Sequence, residues 1–163
     1  KIDQDADQRE EQEAISEKSI KDLKILLVED NELNRQIASE MLKLLGVRVE
    51  MAENGREAVE AVCSHPALYY DAVFMDVQMP VMNGYEATRE IRGSGMERIG
   101  ELPIIAMTAD AFAEDVKRAR LSGMNGHLAK PVSIELLRGA LSGCLDCKRK
   151  NRWDEMMDIS GPN

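Results

Sequence analysis

Aromatic side chains are scarce: one Trp, three Tyr and two Phe make up 4% of the 163 residues. A flavin ring needs aromatic flanks, so this shortage argues against a flavin site. No run of 18 apolar residues occurs and nothing near Lys1 reads as a signal peptide, so neither a membrane span nor secretion is indicated. A cytoplasmic location is the expectation, with no membrane contact by this stretch even if a longer parent chain is membrane-anchored. Basic residues are outnumbered 21 to 30, for a net charge of −9, and form no stripe, which argues against direct nucleic-acid binding. Cysteines are few and odd in number. Cys63, Cys144 and Cys147 lack disulfide spacing, and the lone C-x-x-C of Cys144 and Cys147 follows a helical pattern with no second pair or nearby His to complete a zinc site. They read as ordinary helix residues. The ten methionines sit mostly at core spacing and read as packing.

What is present is a chain 44% apolar, long enough for one domain that buries about two thirds of its unfolded surface. Residues 1–22 carry eight acids and four bases among scattered apolar positions and read as an acidic, flexible linker. The domain is expected over 23–146, followed by a polar tail over 147–163. The start at Lys1 instead of Met reads as a piece of a longer polypeptide or a trimmed chain.

Within that span buried apolar runs alternate with helical patterns. Lys24 to Val28 reads as a strand ending in Glu29-Asp30, and Asn31 caps a helix with apolar positions Ile37, Met41, Leu44 and Leu45, stopped at Gly46. Val47, Val49 and Met51 alternate with charged residues as a half-exposed strand, and Asn54-Gly55 opens a short helix carrying Ala58, Val59 and Val62. The run Tyr70 to Asp76 reads as a strand buried on both faces, broken at Pro80, with Asn83-Gly84 setting the turn into a helix through Thr88 and Ile91. Leu102 to Met107 is a fourth strand ending at Thr108, and a helix from about Ala113 to Ser122 stops at Gly123. Gly126 to Ala129 is a short fifth strand ending at Lys130-Pro131, and Ser133 caps a last helix with Ile134, Leu137, Leu141 and Leu145 on one side. Five strands alternating with five helices imply a doubly wound parallel sheet with right-handed crossovers.

Every chemically interesting residue then falls at the carboxyl end of a strand, where open α/β sheets bind ligands. Glu29 and Asp30 end the first strand, Asp76 the third, Thr108 the fourth and Lys130 the fifth. Crowded carboxylates repel and call for a cation, and an all-oxygen set suits Mg²⁺. With Lys130 and a hydroxyl beside it, Asp76 fits the role of a nucleophile toward phosphorus, forming an acyl phosphate. Singly, Glu29-Asp30 would read as a helix N-terminal charge pair, Thr108 as a strand-end residue and Lys130 as a solvated base.

The motifs Leu27-Val28-Glu29-Asp30-Asn31, Met75-Asp76-Val77-Gln78-Met79-Pro80 with Asn83-Gly84, Met107-Thr108-Ala109 and Leu128-Ala129-Lys130-Pro131 resemble, in order, those of the receiver domains of two-component response regulators. The resemblance implies a flavodoxin-like sheet in the order 2-1-3-4-5. It implies that Asp76 is the phosphoacceptor, that Glu29, Asp30, Asp76 and the backbone carbonyl of Gln78 hold Mg²⁺, that Lys130 pairs with a phosphoryl oxygen, and that Thr108 binds the phosphoryl group and reorients. Asp110 and Gln78 would flank the path of an attacking water. The strings Glu29 to Arg35 and Met79 to Gly84 look most like receivers attached to hybrid sensor histidine kinases. The implied partners are therefore a sensor histidine kinase domain and a histidine phosphotransfer domain, with residues 1–22 as the tether; the chain itself is an acceptor, not a kinase. His127 stands where such receivers often carry a Tyr or Phe switch residue, and reads either as a conformational switch or as a solvated strand-end residue. Two other readings compete. An Asp-nucleophile phosphohydrolase would want a second Asp two residues on, where Gln78 stands, and a phosphate-independent docking module would not need the acids, Thr108 and Lys130 together.

Overall fold

The computed structural model describes residues 20–109 and 112–150, with side chains to residue 146. The strands are β1 (Lys24–Val28), β2 (Arg48–Ala52), β3 (Ala72–Asp76), β4 (Ile104–Thr108) and β5 (Gly126–Ala129). The helices are α1 (Glu32–Leu44), α2 (Gly55–Cys63), α3 (Gly84–Arg92), α4 (Ala113–Ser122) and α5 (Ile134–Lys150), with one 3₁₀ turn at Ile99–Glu101. All strand pairs are parallel and the order is β2-β1-β3-β4-β5, as expected from the sequence.

Alternation along the strands splits the core into two layers. Leu26, Val28, Val73, Met75, Ile104 and Ala106 face α2, α3 and α4, meeting Ala58, Val62, Ile91 and Ala119. Ile25, Leu27, Phe74, Ile105, Met107 and Leu128 face α1 and α5, meeting Leu42, Leu137 and Leu141. Both faces of β3 are therefore covered and all five of its residues are buried, which explains why it reads as a continuous apolar run. Each large side chain so buried contributes roughly 1.5–3 kcal/mol relative to an exposed one.

Local chemistry sets the helix ends. Asn31, Asn54 and Asn83 each accept a hydrogen bond from the backbone N–H three residues on, at 2.9 Å, and so start α1, α2 and α3. Ser133 Oγ likewise accepts from Leu136 N–H at 3.2 Å. Gly123, at φ +107°, ends α4 in the left-handed conformation that favours glycine.

Three sequence expectations are corrected. In α1 the large apolar residues Ile37 and Leu44 are 45% and 76% exposed, while Ala38, Ser39 and Leu42 are buried. Small residues let this helix lie close on β1 and β2, which turns the bulkier apolar positions toward solvent. Met51 is likewise 51% exposed, because β2 is an edge strand with a neighbour on one side only. Strand β3 begins at Ala72, opposite Ile25, and just before it the Asp71 carboxylate accepts from Lys24 N–H while the Tyr70 hydroxyl donates to Glu50.

Ile20 and Leu23 pack in the α1/α5 layer, so the packed body reaches into the stretch read as linker. The rest of that linker, residues 151–163 of the tail, Asp110 and the side chains of 147–150, including Cys147, lie outside the described residues. Cys144 is buried in α5, and Cys63 is exposed at the end of α2.

Candidate functional site

Asp76 is the last residue of β3 and is 3% exposed. Its strand is held on both sides, and Val77 N–H continues the ladder to Met107 O at 3.2 Å. The loop after it folds tightly back. Gly84 N–H donates to Val77 O at 3.1 Å, and a Cβ on Gly84 would run into the Asp76 carbonyl oxygen. The Asn-Gly pair therefore serves two purposes: the Asn caps α3 and the Gly lets that helix start directly against the strand end.

Glu29 follows β1 and is also 3% exposed. Its Oε1 accepts from Asn31 N–H at 3.3 Å, its N–H donates to Ala52 O at 3.1 Å, and its carbonyl accepts from Arg35 Nη1 at 2.9 Å. Lys130 follows β5, where its N–H donates to Thr108 O at 2.8 Å. Its ammonium reaches across the sheet end to lie 3.0 Å from both Glu29 Oε2 and Asp76 Oδ1. Asp30, exposed, completes a group of three acids that each offer an oxygen within 4.8 Å of the others. Thr108 closes β4 beside them, 8% exposed. Glu29, Asp76, Thr108 and Lys130, read from separate stretches of sequence, are thus brought to one end of the sheet.

The electrostatics are those of a site short of positive charge. Burial drives the Asp76 carboxyl up; the Lys130 hydrogen bond opposes this and the Glu29 charge reinforces it, leaving a pKa of about 6 instead of 3.8. Burial pulls the Lys130 ammonium down, but its bonds to Asp76 and Glu29 outweigh that and its pKa is raised. One ammonium thus serves two buried carboxylates. Asp76 Oδ1 takes both Lys130 and the Gln78 N–H, the latter at 3.3 Å, and Oδ2 has no hydrogen-bond partner among the described residues. Three clustered acids, one oxygen left open and a raised proton affinity fit a hard divalent cation.

Two clefts flank the site. One, of about 300 Å³, is lined by Glu29, Asn34, Ile37, Lys130, Pro131 and Val132. The other, of about 320 Å³, is lined by Gln78, Asn83, Tyr85, Thr108, Asp115 and Arg118, with the Arg118 guanidinium 4.6 Å from the centre of the Tyr85 ring.

His127 lies on β5 opposite Ala106 and is only 8% exposed, with Nδ1 buried and unpartnered among the described residues. The solvated strand-end reading of this residue is therefore set aside. Arg35 carried no role in the sequence reading. The available signal was its place on the first turn of α1, where helical side chains lean back toward the N-terminus and hence over the end of β1.

Comparison with known proteins agrees with this geometry. The response regulator receiver domain profile matches residues 25–142. Histidine kinase 5 of Arabidopsis thaliana is 39% identical over 158 residues, covering 82% of this chain and 17% of that protein, so the chain spans well under two thirds of that relative. The receiver domain of a Pseudomonas aeruginosa sensor histidine kinase, solved with a magnesium ion coordinated in its active-site cleft, is 42% identical with a TM-score of 0.65, over 73% of this chain and 93% of that one. The receiver domain of Saccharomyces cerevisiae Ssk1, solved with the histidine phosphotransfer protein Ypd1, is 31% identical with a TM-score of 0.68, over 77% and 90%. The matched span takes in every strand end that builds the site, and the chain belongs to the response regulator receiver domains of two-component systems.

Proposed function

We propose that Asp76 is the phosphoacceptor of a phosphorelay, taking its phosphoryl group from a phosphohistidine and passing it to a histidine phosphotransfer domain. The observation that carries this is the Lys130 ammonium at 3.0 Å from both Glu29 and Asp76, with Asp76 Oδ2 left open. In the forward step Oδ2 bonds to phosphorus as the P–N bond of the donor breaks, and the leaving imidazole nitrogen keeps the electron pair and takes up a proton. Lys130, released from sharing two carboxylates, follows the incoming charge to a phosphoryl oxygen, and the Thr108 hydroxyl donates to another. Glu29, Asp30, Asp76 and the Gln78 carbonyl are the proposed Mg²⁺ ligands. Bound Mg²⁺ neutralises charge on the phosphoryl oxygens of the in-line transfer.

For a partner, exposed apolar residues lie on the segments that follow the strand ends: Leu33 and Ile37 on α1, Val81 in the β3–α3 loop and Phe112 before α4. They suit an apolar docking face on a histidine phosphotransfer partner, a reading supported by the Ssk1–Ypd1 complex. The phosphoryl group on Asp76 carries about two negative charges in place of the carboxylate's one, at the end of β3 and beside the ends of β4 and β5. Through Thr108 and the buried His127 it biases the surface formed by α4, β5 and α5. The parent is proposed to be a hybrid sensor histidine kinase working in the cytoplasm, with residues 1–22 as its tether.

The test is incubation with Mg²⁺ and acetyl phosphate, followed by intact mass measurement of the parent and Asp76→Asn. One phosphoryl adduct is expected in the parent, lost in the variant and lost when Mg²⁺ is chelated. An adduct that survives in Asp76→Asn would remove Asp76 from the role. No adduct in a folded parent, even from a phosphorylated histidine domain, would favour a docking module that does not use phosphate.

A further inference from the structure

Asp30 differs from the other two acids of the cluster. Glu29 and Asp76 are buried and both lean on Lys130, whereas Asp30 is exposed and its carboxylate makes no hydrogen bond or ion pair with any described residue. What places it is the backbone that carries it, which fixes the Cα–Cβ bond from which the carboxylate swings. A peptide unit is planar, so holding one carbonyl holds the next residue's N–H and Cα with it. The carbonyl between Glu29 and Asp30 is held at 2.9 Å by Arg35 Nη1.

That contact is also the main one Arg35 makes. Its side chain is only 14% exposed, and its ion pair with Glu53 is long, at 3.5 Å, to a carboxylate 65% exposed. Such a solvent-screened pair contributes little. A mostly buried guanidinium needs firm partners, and here the firm one is the strand-end carbonyl.

We propose that Arg35 is a positioning residue for the metal site: it fixes the Glu29–Asp30 peptide plane and so keeps the unsupported Asp30 carboxylate within reach of Glu29 and Asp76. The inference rests on the reading that Mg²⁺ binds this cluster.

The experiment is a Mg²⁺ titration of the full chain, followed by amide NMR shifts, for the parent, Arg35→Met and Arg35→Lys, with melting temperatures in chelator as a stability control. Met keeps the stem and removes every donor; Lys returns one. Mg²⁺ binding is expected to weaken about tenfold in Arg35→Met, the lower end for residues that orient a metal ligand, and to recover in part in Arg35→Lys. Affinity within twofold of the parent in Arg35→Met overturns the inference while leaving the metal reading in place. Equal weakening in both variants, in step with lowered melting temperatures, overturns it in favour of general loosening. A parent without Mg²⁺-dependent shifts overturns both. Should Arg35→Met not fold, Arg35→Gln, which falls short of the Glu29 carbonyl, takes its place under the same criteria.

Discussion

Glu50 and Asp76 are carboxylates on two strands of the same sheet, β2 and β3, and their surroundings set them apart. Glu50 receives a hydroxyl on each oxygen, from Tyr69 at 2.9 Å and Tyr70 at 3.1 Å. Tyr69 is itself stacked on His65, with ring centres 3.8 Å apart, and carries the Lys24 ammonium 3.8 Å from its ring centre. Burial, reinforced by Glu50, raises the proton affinity of the Tyr70 hydroxyl, so it stays a donor throughout the neutral range. Asp76 instead shares one ammonium with Glu29 and keeps an oxygen without a partner among the described residues. A carboxylate whose acceptors are matched by fixed neutral donors ties a sheet edge together. One left short of donors in a buried, charge-poor setting is ready to bind what the protein lacks, a cation or a phosphoryl group.

Removing the shared cation should disturb the Asp76 side of the sheet most. Lys130→Met leaves two buried carboxylates facing each other, and should cost about 2–4 kcal/mol of stability at pH 7 in chelator. Much of that loss should return at pH 5, where Asp76 accepts a proton. Urea denaturation at both pH values checks this, and an equal loss at each would show that the ion pairs are not the cause.

A smaller effect is expected from the titration of Asp76 itself. Its pKa is about 6 in the folded chain against 3.8 as the ordinary value, so the folded state holds this proton more tightly. The resulting stabilisation is fully present below pH 3.8 and is lost as pH rises through about 6. Asp76→Asn, in chelator, should flatten that decline and be more stable at pH 7 by about 1–3 kcal/mol. Parallel stability–pH curves for parent and variant would contradict the raised pKa.

The mildest change is expected at Glu50. Tyr70→Phe removes one donor from Glu50 and should cost about 1 kcal/mol, read from the urea midpoint, with the phosphoryl adduct at Asp76 unaltered. A reduced adduct would mean that the two carboxylates are coupled through β1, which lies between their strands.

Legibility varied with how local the determinants are. The limits of β1, β5 and α4 follow from short apolar runs, a capping residue or a stop glycine, and were read directly. The face that α1 buries was misread, because hydropathy gives weight to Ile37 and Leu44 while close packing selects Ala38, Ser39 and Leu42. The Glu50–Tyr69–Tyr70 cluster went unread, since its members meet only through the pairing of β1 with β2 and β3. Arg35 was legible as part of a motif but not as a holder of the Glu29 carbonyl.

Local pattern in the chain is enough to specify the alternation of strands and helices, and hence that Glu29, Asp30, Asp76, Thr108 and Lys130 each fall at or just past a strand end. In a parallel sheet all such ends point the same way, so their convergence follows from pattern and connectivity. The distances come from three-dimensional packing: that one ammonium lies 3.0 Å from two carboxylates, that one oxygen of Asp76 has no partner among the described residues, and that His127 is buried. Those depend on strand register, sheet twist and the packing of helices against both faces, which no single stretch of chain specifies.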